Sequence, residues 1–129
     1  VVMAATTTAR SAFLSIKSPS SKLAAILTDP QPLPASSDSG DLRAGSLPPS
    51  LGVLVLVHAS PWGNKDSVPF PHLSAALKCA TLRFDLTGCG ASEGVGRINC
   101  TVRDAEDIRA AVNHLREELG RKVLGLLGW

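Results

Sequence analysis

Apolar residues along this chain fall into two patterns, and the change between them divides it. Ala12-Phe13-Leu14-Ser15-Ile16-Lys17 partly alternates, Ser18-Pro19-Ser20-Ser21 has turn chemistry, and Leu23-Ala24-Ala25-Ile26-Leu27 is apolar again. Two such runs around a turn predict a β-hairpin from about Ser11 onward. From Asp29 to Ser50 nothing is periodic, and prolines at 30, 32, 34, 48 and 49 among serines and glycines predict a long, flexible surface loop.

Beyond that loop the pattern changes. Gly52-Val53-Leu54-Val55-Leu56-Val57 is continuously apolar up to His58. Without polar alternation, it predicts a strand covered on both faces, as in a parallel sheet. Leu73, Ala76 and Leu77 share one face of a short helix over His72–Cys79, with Pro71 tolerated in its first turn. Ala80–Asp85 is a second strand, stopped by Gly88 and Gly90. Val102, Ala105, Ile108, Val112, Leu115 and Leu119 then recur every three or four residues and predict an amphipathic helix. Thr101 is its candidate N-cap, Asp104 and Glu106 suit the positive end of its dipole, and Gly120 ends it. Val123-Leu124-Gly125-Leu126-Leu127 is a third strand of the buried type, followed by Gly128-Trp129. Strand, helix, strand, helix, strand implies an α/β fold with a parallel sheet, preceded here by an antiparallel hairpin.

Composition narrows the function classes. With 129 residues, 44% hydrophobic and 19% charged, the chain suits one globular domain. Thirteen Lys and Arg against eleven Asp and Glu leave a net charge of +2, too balanced to point to nucleic acid or an anionic membrane. No apolar run approaches the about 18 residues of a transmembrane helix. Cys79, Cys89 and Cys100 are odd in number and form no CxxC pair, so neither a disulfide framework nor a zinc site is expected, and no metal or cofactor is implied. Reduced thiols fit a cytosolic or organellar compartment. The first 28 residues carry Arg10, Lys17 and Lys22 but no acid, as in transit peptides. The hairpin claims the part from Ser11, leaving residues 1–10 as a disordered or targeting remnant and 11–129 as the domain.

Two segments carry a resemblance. His58-Ala59-Ser60-Pro61-Trp62-Gly63-Asn64-Lys65-Asp66-Ser67, after an apolar strand, is similar to the segment of α/β-hydrolases that opens with His-Gly and closes with Lys-Asp-Ser. Leu82-Arg83-Phe84-Asp85-Leu86-Thr87-Gly88-Cys89-Gly90-Ala91-Ser92-Glu93-Gly94 resembles the RFDxxGxGxSEG stretch of their serine aminopeptidase-like or monoacylglycerol-lipase-like branch. The resemblance covers roughly Leu23 to Trp129, with residues 29–50 unmatched. It implies the N-terminal part of a serine hydrolase that cleaves small ester, amide or acyl-lipid substrates through an acyl-enzyme.

Such a hydrolase aims hydrogen-bond donors at the oxyanion of its tetrahedral intermediate. The resemblance makes the backbone N–H of Ser60 one donor, on a loop braced by His58 and Ala59, with Trp62 lining the acyl pocket. Ala59 stands where the family has Gly, and a left-handed backbone there would disfavour it. Gly128 and Trp129 match the start of the GxSxG elbow, so the nucleophile is expected immediately after Trp129 and the acid and histidine later still. As given, the chain is catalytically incomplete and holds no catalytic triad residue.

Plainer roles compete at several positions. Asp85 reads as a carboxylate capping the Gly88-x-Gly90 turn rather than an acid or base, and Ser92 as bonding locally. Lys65 and Asp66 order the loop or face solvent, and His72 and His114 are surface or boundary residues. A dinucleotide site at Gly88-x-Gly90 is disfavoured, because Glu93 holds the third glycine's place. The alternative for the whole chain is a non-catalytic binding or scaffold protein with the same fold.

Overall fold

In the computed structural model, residues 9–30 and 52–129 are described. The expected remnant at 1–10 and loop at 29–50 therefore lie largely outside the described residues. Arg10 already pairs with Asp29, so Asp29 closes a strand rather than opening a loop.

The hairpin consists of β1 (Arg10–Lys17) and β2 (Lys22–Asp29), antiparallel around a turn in which the Ser18 N–H donates to the Ser21 carbonyl at 2.8 Å. Three strands follow: β3 (Val53–Val57), β4 (Ala80–Phe84) and β5 (Val123–Gly128). β3 pairs in parallel with both β4 and β5, while β2 pairs antiparallel with β4. The spatial order is β1-β2-β4-β3-β5. Strand order thus reverses at β3, which makes the carboxyl ends of β3 and β5 the crevice of the sheet.

Alternation along the strands splits the core. Leu23, Ala25, Leu27, Val53, Val55, Leu82 and Phe84 pack on one face with Ala111 and Leu115 of α2 (Thr101–Asn113) and the π-helical turn His114–Glu118 that extends it. On the other face lies α1 (Phe70–Ala76), whose Phe70 is fully buried and whose Ser74 accepts a hydrogen bond from Thr81 of β4 at 2.9 Å.

Four expectations need correction. Helix α1 starts two residues earlier than the pattern predicts and ends before Leu77, because prolines 69 and 71 at its start nucleate it there; it buries Phe70 and Ser74 rather than the Leu73–Ala76–Leu77 stripe. The residue in the N-cap position of α2 is Cys100, with Thr101 the first helical residue. The stripe on α2 is rotated: Val102 is 75% exposed, while Asp107, Ala111 and Leu115 face the sheet. The Asp107 carboxylate explains the rotation. It accepts the Ser18 hydroxyl at 2.5 Å, the Thr87 N–H at 2.7 Å and the Thr87 hydroxyl at 3.0 Å, so a polar clasp fixes the inward face. Finally, β5 joins the sheet but is not buried. It is an edge strand beside β3 among the described residues, and Leu124, Leu126 and Leu127 are all substantially exposed.

Candidate active site

The segments leaving β3, β4 and β5 meet at their carboxyl ends. β3 runs straight into His58, which is 4% exposed. Its Nε2 accepts the N–H of Leu86 at 3.1 Å, so the ring proton sits on Nδ1 and is donated to the Ala59 carbonyl at 2.9 Å. The next turn closes when the Gly63 N–H donates to the same carbonyl at 2.9 Å. Only glycine fits there, because a Cβ on Gly63 would stand 2.7 Å from that oxygen and 2.9 Å from His58 Nδ1. Ala59 itself is not left-handed, since Asn99 is the one non-glycine residue with positive φ among the described residues. The Ala-for-Gly departure therefore carries no backbone strain.

Inside this turn, the Ser60 N–H has no acceptor among the described residues, and its Oγ is buried beside the Cys89 thiol. Trp62 stands 81% exposed beyond it. The turn lies beside the end of β5, where Val57 aligns with Gly128 and the Trp129 N–H donates to the Val57 carbonyl at 3.0 Å.

Asp85, fully buried at the end of β4, connects the two loops. Its Oδ1 accepts the Lys65 N–H at 2.6 Å, and its Oδ2 accepts the Lys65 ammonium at 3.0 Å and the Ala91 N–H at 2.8 Å. Gly90, left-handed at φ +49°, leaves the space in which that carboxylate sits; a side chain there would collide with it. Ser92 reaches further than its own turn, donating to the Asp85 carbonyl at 2.6 Å and accepting the Ala24 N–H of β2 at 2.8 Å. Gly88 adopts φ +78° against Gly96.

A chain of charges runs outward from Asp85. Lys65 bridges Asp85 and Asp66, and Asp66 meets Arg83 at 2.6 Å. Burial works against the Lys65 ammonium, but hydrogen bonds and attraction from Asp85 and Asp66 outweigh it and raise its pKa above the ordinary 10.5. Burial likewise opposes ionised Asp66, and Lys65 with Arg83 overcomes that to hold it below the ordinary 3.8. Cys89 is buried, and burial pushes its thiol pKa up, with Asp104 and Asp85 adding to the rise against Ser60 and Arg103. It is a protonated packing residue whose Sγ lies 3.6 Å from the Pro61 carbonyl, not a nucleophile.

The structure thus brings together His58, Ala59, Ser60, Asp85, Gly88, Gly90 and Ser92, with Gly128 and Trp129 alongside. His72 is exposed elsewhere, and His114 pairs with Glu118 at 3.0 Å on the π-helical turn. That turn borders a groove of about 360 Å³ with Ile16, Lys17 and Glu106, which shares no residue with the loop cluster. Among the described residues no group of three His, Cys, Asp or Glu side chains is arranged to hold a metal, and no helix is long and apolar enough to cross a membrane. Sequence patterning missed the Lys65–Asp85 pair and the Asp107 clasp. The signal for the latter was the four-residue spacing of Asp107, Ala111 and Leu115, overlooked in favour of the more apolar stripe.

Comparison with known proteins gives the fold a name. An esterase of Pyrococcus furiosus superposes with a TM-score of 0.65 at 17% identity, over 94% of this chain and 41% of its own. Est1E from Butyrivibrio proteoclasticus, in a structure with ferulic acid bound, gives a TM-score of 0.67 at 20% identity, over 89% of this chain and 41% of its own. No protein-family model matches the sequence, and no curated protein does. The chain therefore has a partial α/β-hydrolase fold, and it spans about two fifths of the length of these esterases.

Proposed function

We propose that this chain forms the N-terminal part of a serine hydrolase, of the serine aminopeptidase-like or monoacylglycerol-lipase-like branch, acting on a small ester, amide or acyl-lipid substrate. A serine hydroxyl placed directly after Trp129 adds to the substrate carbonyl, its proton passing to a histidine further along the chain. The carbonyl oxygen becomes the oxyanion, and the Ser60 N–H donates to it. The histidine returns the proton to the departing alcohol or amine, and water then releases the acid from the acyl-enzyme. His58 and Ala59 hold the donor loop, Trp62 borders the acyl group, and Gly128 with Trp129 opens the nucleophile turn. No cofactor enters the reaction.

The observation that carries this reading is the Ser60 N–H, unpaired among the described residues, in a turn closed by Ala59 and Gly63 next to the end of β5. A backbone donor left free at the crevice of such a sheet suits an anion that exists only during reaction. The test is labelling of the natural protein by a fluorophosphonate, followed by peptide mapping. A labelled serine immediately after Trp129 is the expected result; no labelling, or a continuation lacking that serine, overturns the reading. The edge of β5, open among the described residues with Leu124 and Leu126 exposed, favours a second reading as a non-catalytic scaffold. A folded natural protein without esterase activity would support that one instead.

A further inference from the structure

The loop that carries Ser60 is stapled to the loop after β4 at two points. At its start, His58 Nε2 holds the Leu86 N–H at 3.1 Å. Five residues beyond Ser60, the Lys65 N–H and ammonium both reach Asp85, at 2.6 and 3.0 Å. The two anchors on the β4 side, Asp85 and Leu86, are consecutive residues, so both staples close on one short stretch of backbone. Ser60 lies between the staples, and among the described residues its N–H is unpaired.

This ion pair is well placed to resist motion. Asp85 is fully buried and the Lys65 side chain is 12% exposed, so the pair is screened far less than a surface one. The same carboxylate also accepts the Ala91 N–H, which ties its position to the β4 loop rather than to Lys65 alone. From the far side, Arg83 donates to the Lys65 carbonyl at 3.0 Å and to Asp66 at 2.6 Å, so the backbone of Lys65 is held as well as its ammonium.

Resting on the hydrolase reading above, we propose that Lys65 and Asp85 are positioning residues that fix the direction of the Ser60 N–H. An oxyanion donor is effective only when already aimed, and a displacement of about 1 Å costs up to about a hundredfold in rate. Neither residue touches the reacting atoms. Their contribution is that the donor loop cannot rock about the His58 staple.

The experiment compares Lys65→Met and Lys65→Arg with the unsubstituted natural protein. Lys65→Met keeps the Lys65 N–H on Asp85 and loses only the ammonium. It is expected to lower kcat for a p-nitrophenyl ester about ten- to a hundredfold, with KM within about twofold. Amide exchange is expected to rise in peptides covering 58–67 and 85–92 and to stay constant in β3 and β4. Lys65→Arg should restore most of kcat and the slow exchange. Unchanged exchange in both loops overturns the proposal, and so does faster exchange spread through the whole chain. If the unsubstituted protein turns over no ester, the hydrolase reading fails, while the exchange pattern still decides whether the two loops are coupled through Lys65.

Discussion

His58 and Leu86 join the ends of two parallel strands: the imidazole Nε2 at the end of β3 accepts the backbone N–H just past β4 at 3.1 Å. Both groups are buried, so removing the acceptor leaves an N–H with no water to replace it. His58→Phe keeps a ring of similar size and lacks the acceptor. It is expected to destabilise the fold by about 1–3 kcal/mol. Urea unfolding checks this through a lower midpoint at an unchanged slope.

The rotation of α2 gives a sharper contrast between two positions. Asp107→Ala strands the Thr87 N–H and the Ser18 hydroxyl in the interior. A loss of about 3 kcal/mol is expected, within the range for hydrogen bonds to a charged group. Val102→Ala, on the stripe that the sequence places inward, should change stability by less than about 0.5 kcal/mol, because Val102 is 75% exposed. Thermal unfolding of the two variants decides which face of the helix packs.

These cases show what the sequence makes legible. The hairpin, the three parallel strands and their crossovers are readable because apolar runs such as Val53–Val57 and turn residues such as Ser18–Ser21 are local signals. Which face of α2 turns inward is not local. It depends on partners 20 and 89 residues away from Asp107, namely Thr87 and Ser18. The motif around Ser60 and Asp85 was visible as two separate stretches. The Lys65–Asp85 contact between them was not, because nothing in either stretch states its partner. The exposure of β5 is likewise invisible to patterning: its composition is that of a covered strand, and covering depends on neighbours.

The Lys65–Asp66 pair gives stability a dependence on pH whose sign follows from the shifts. Asp66 has a folded pKa below 3.8, so its contribution is present above that value and is lost as pH falls through the lowered one. Lys65 has a folded pKa above 10.5, so its contribution is complete below 10.5 and is lost as pH rises through the raised one. Asp66 is 55% exposed, and screening keeps its share to about 0.5 kcal/mol or less. Asp66→Asn should therefore unfold at slightly lower urea than the unsubstituted protein at pH 6, with the gap closing below pH of about 3. A gap that widens in acid would contradict the assignment.

The proposed oxyanion site turns on one hydrogen atom, the amide proton of Ser60. Its removal without change of side chain is achieved by incorporating the α-hydroxy analogue of serine at position 60, which replaces the N–H by an ester oxygen. In the natural protein, ester turnover is expected to fall about 10²–10³-fold in kcat, with KM little altered. A kcat within about twofold of the unsubstituted protein, with the fold intact by circular dichroism, would contradict the role given to Ser60.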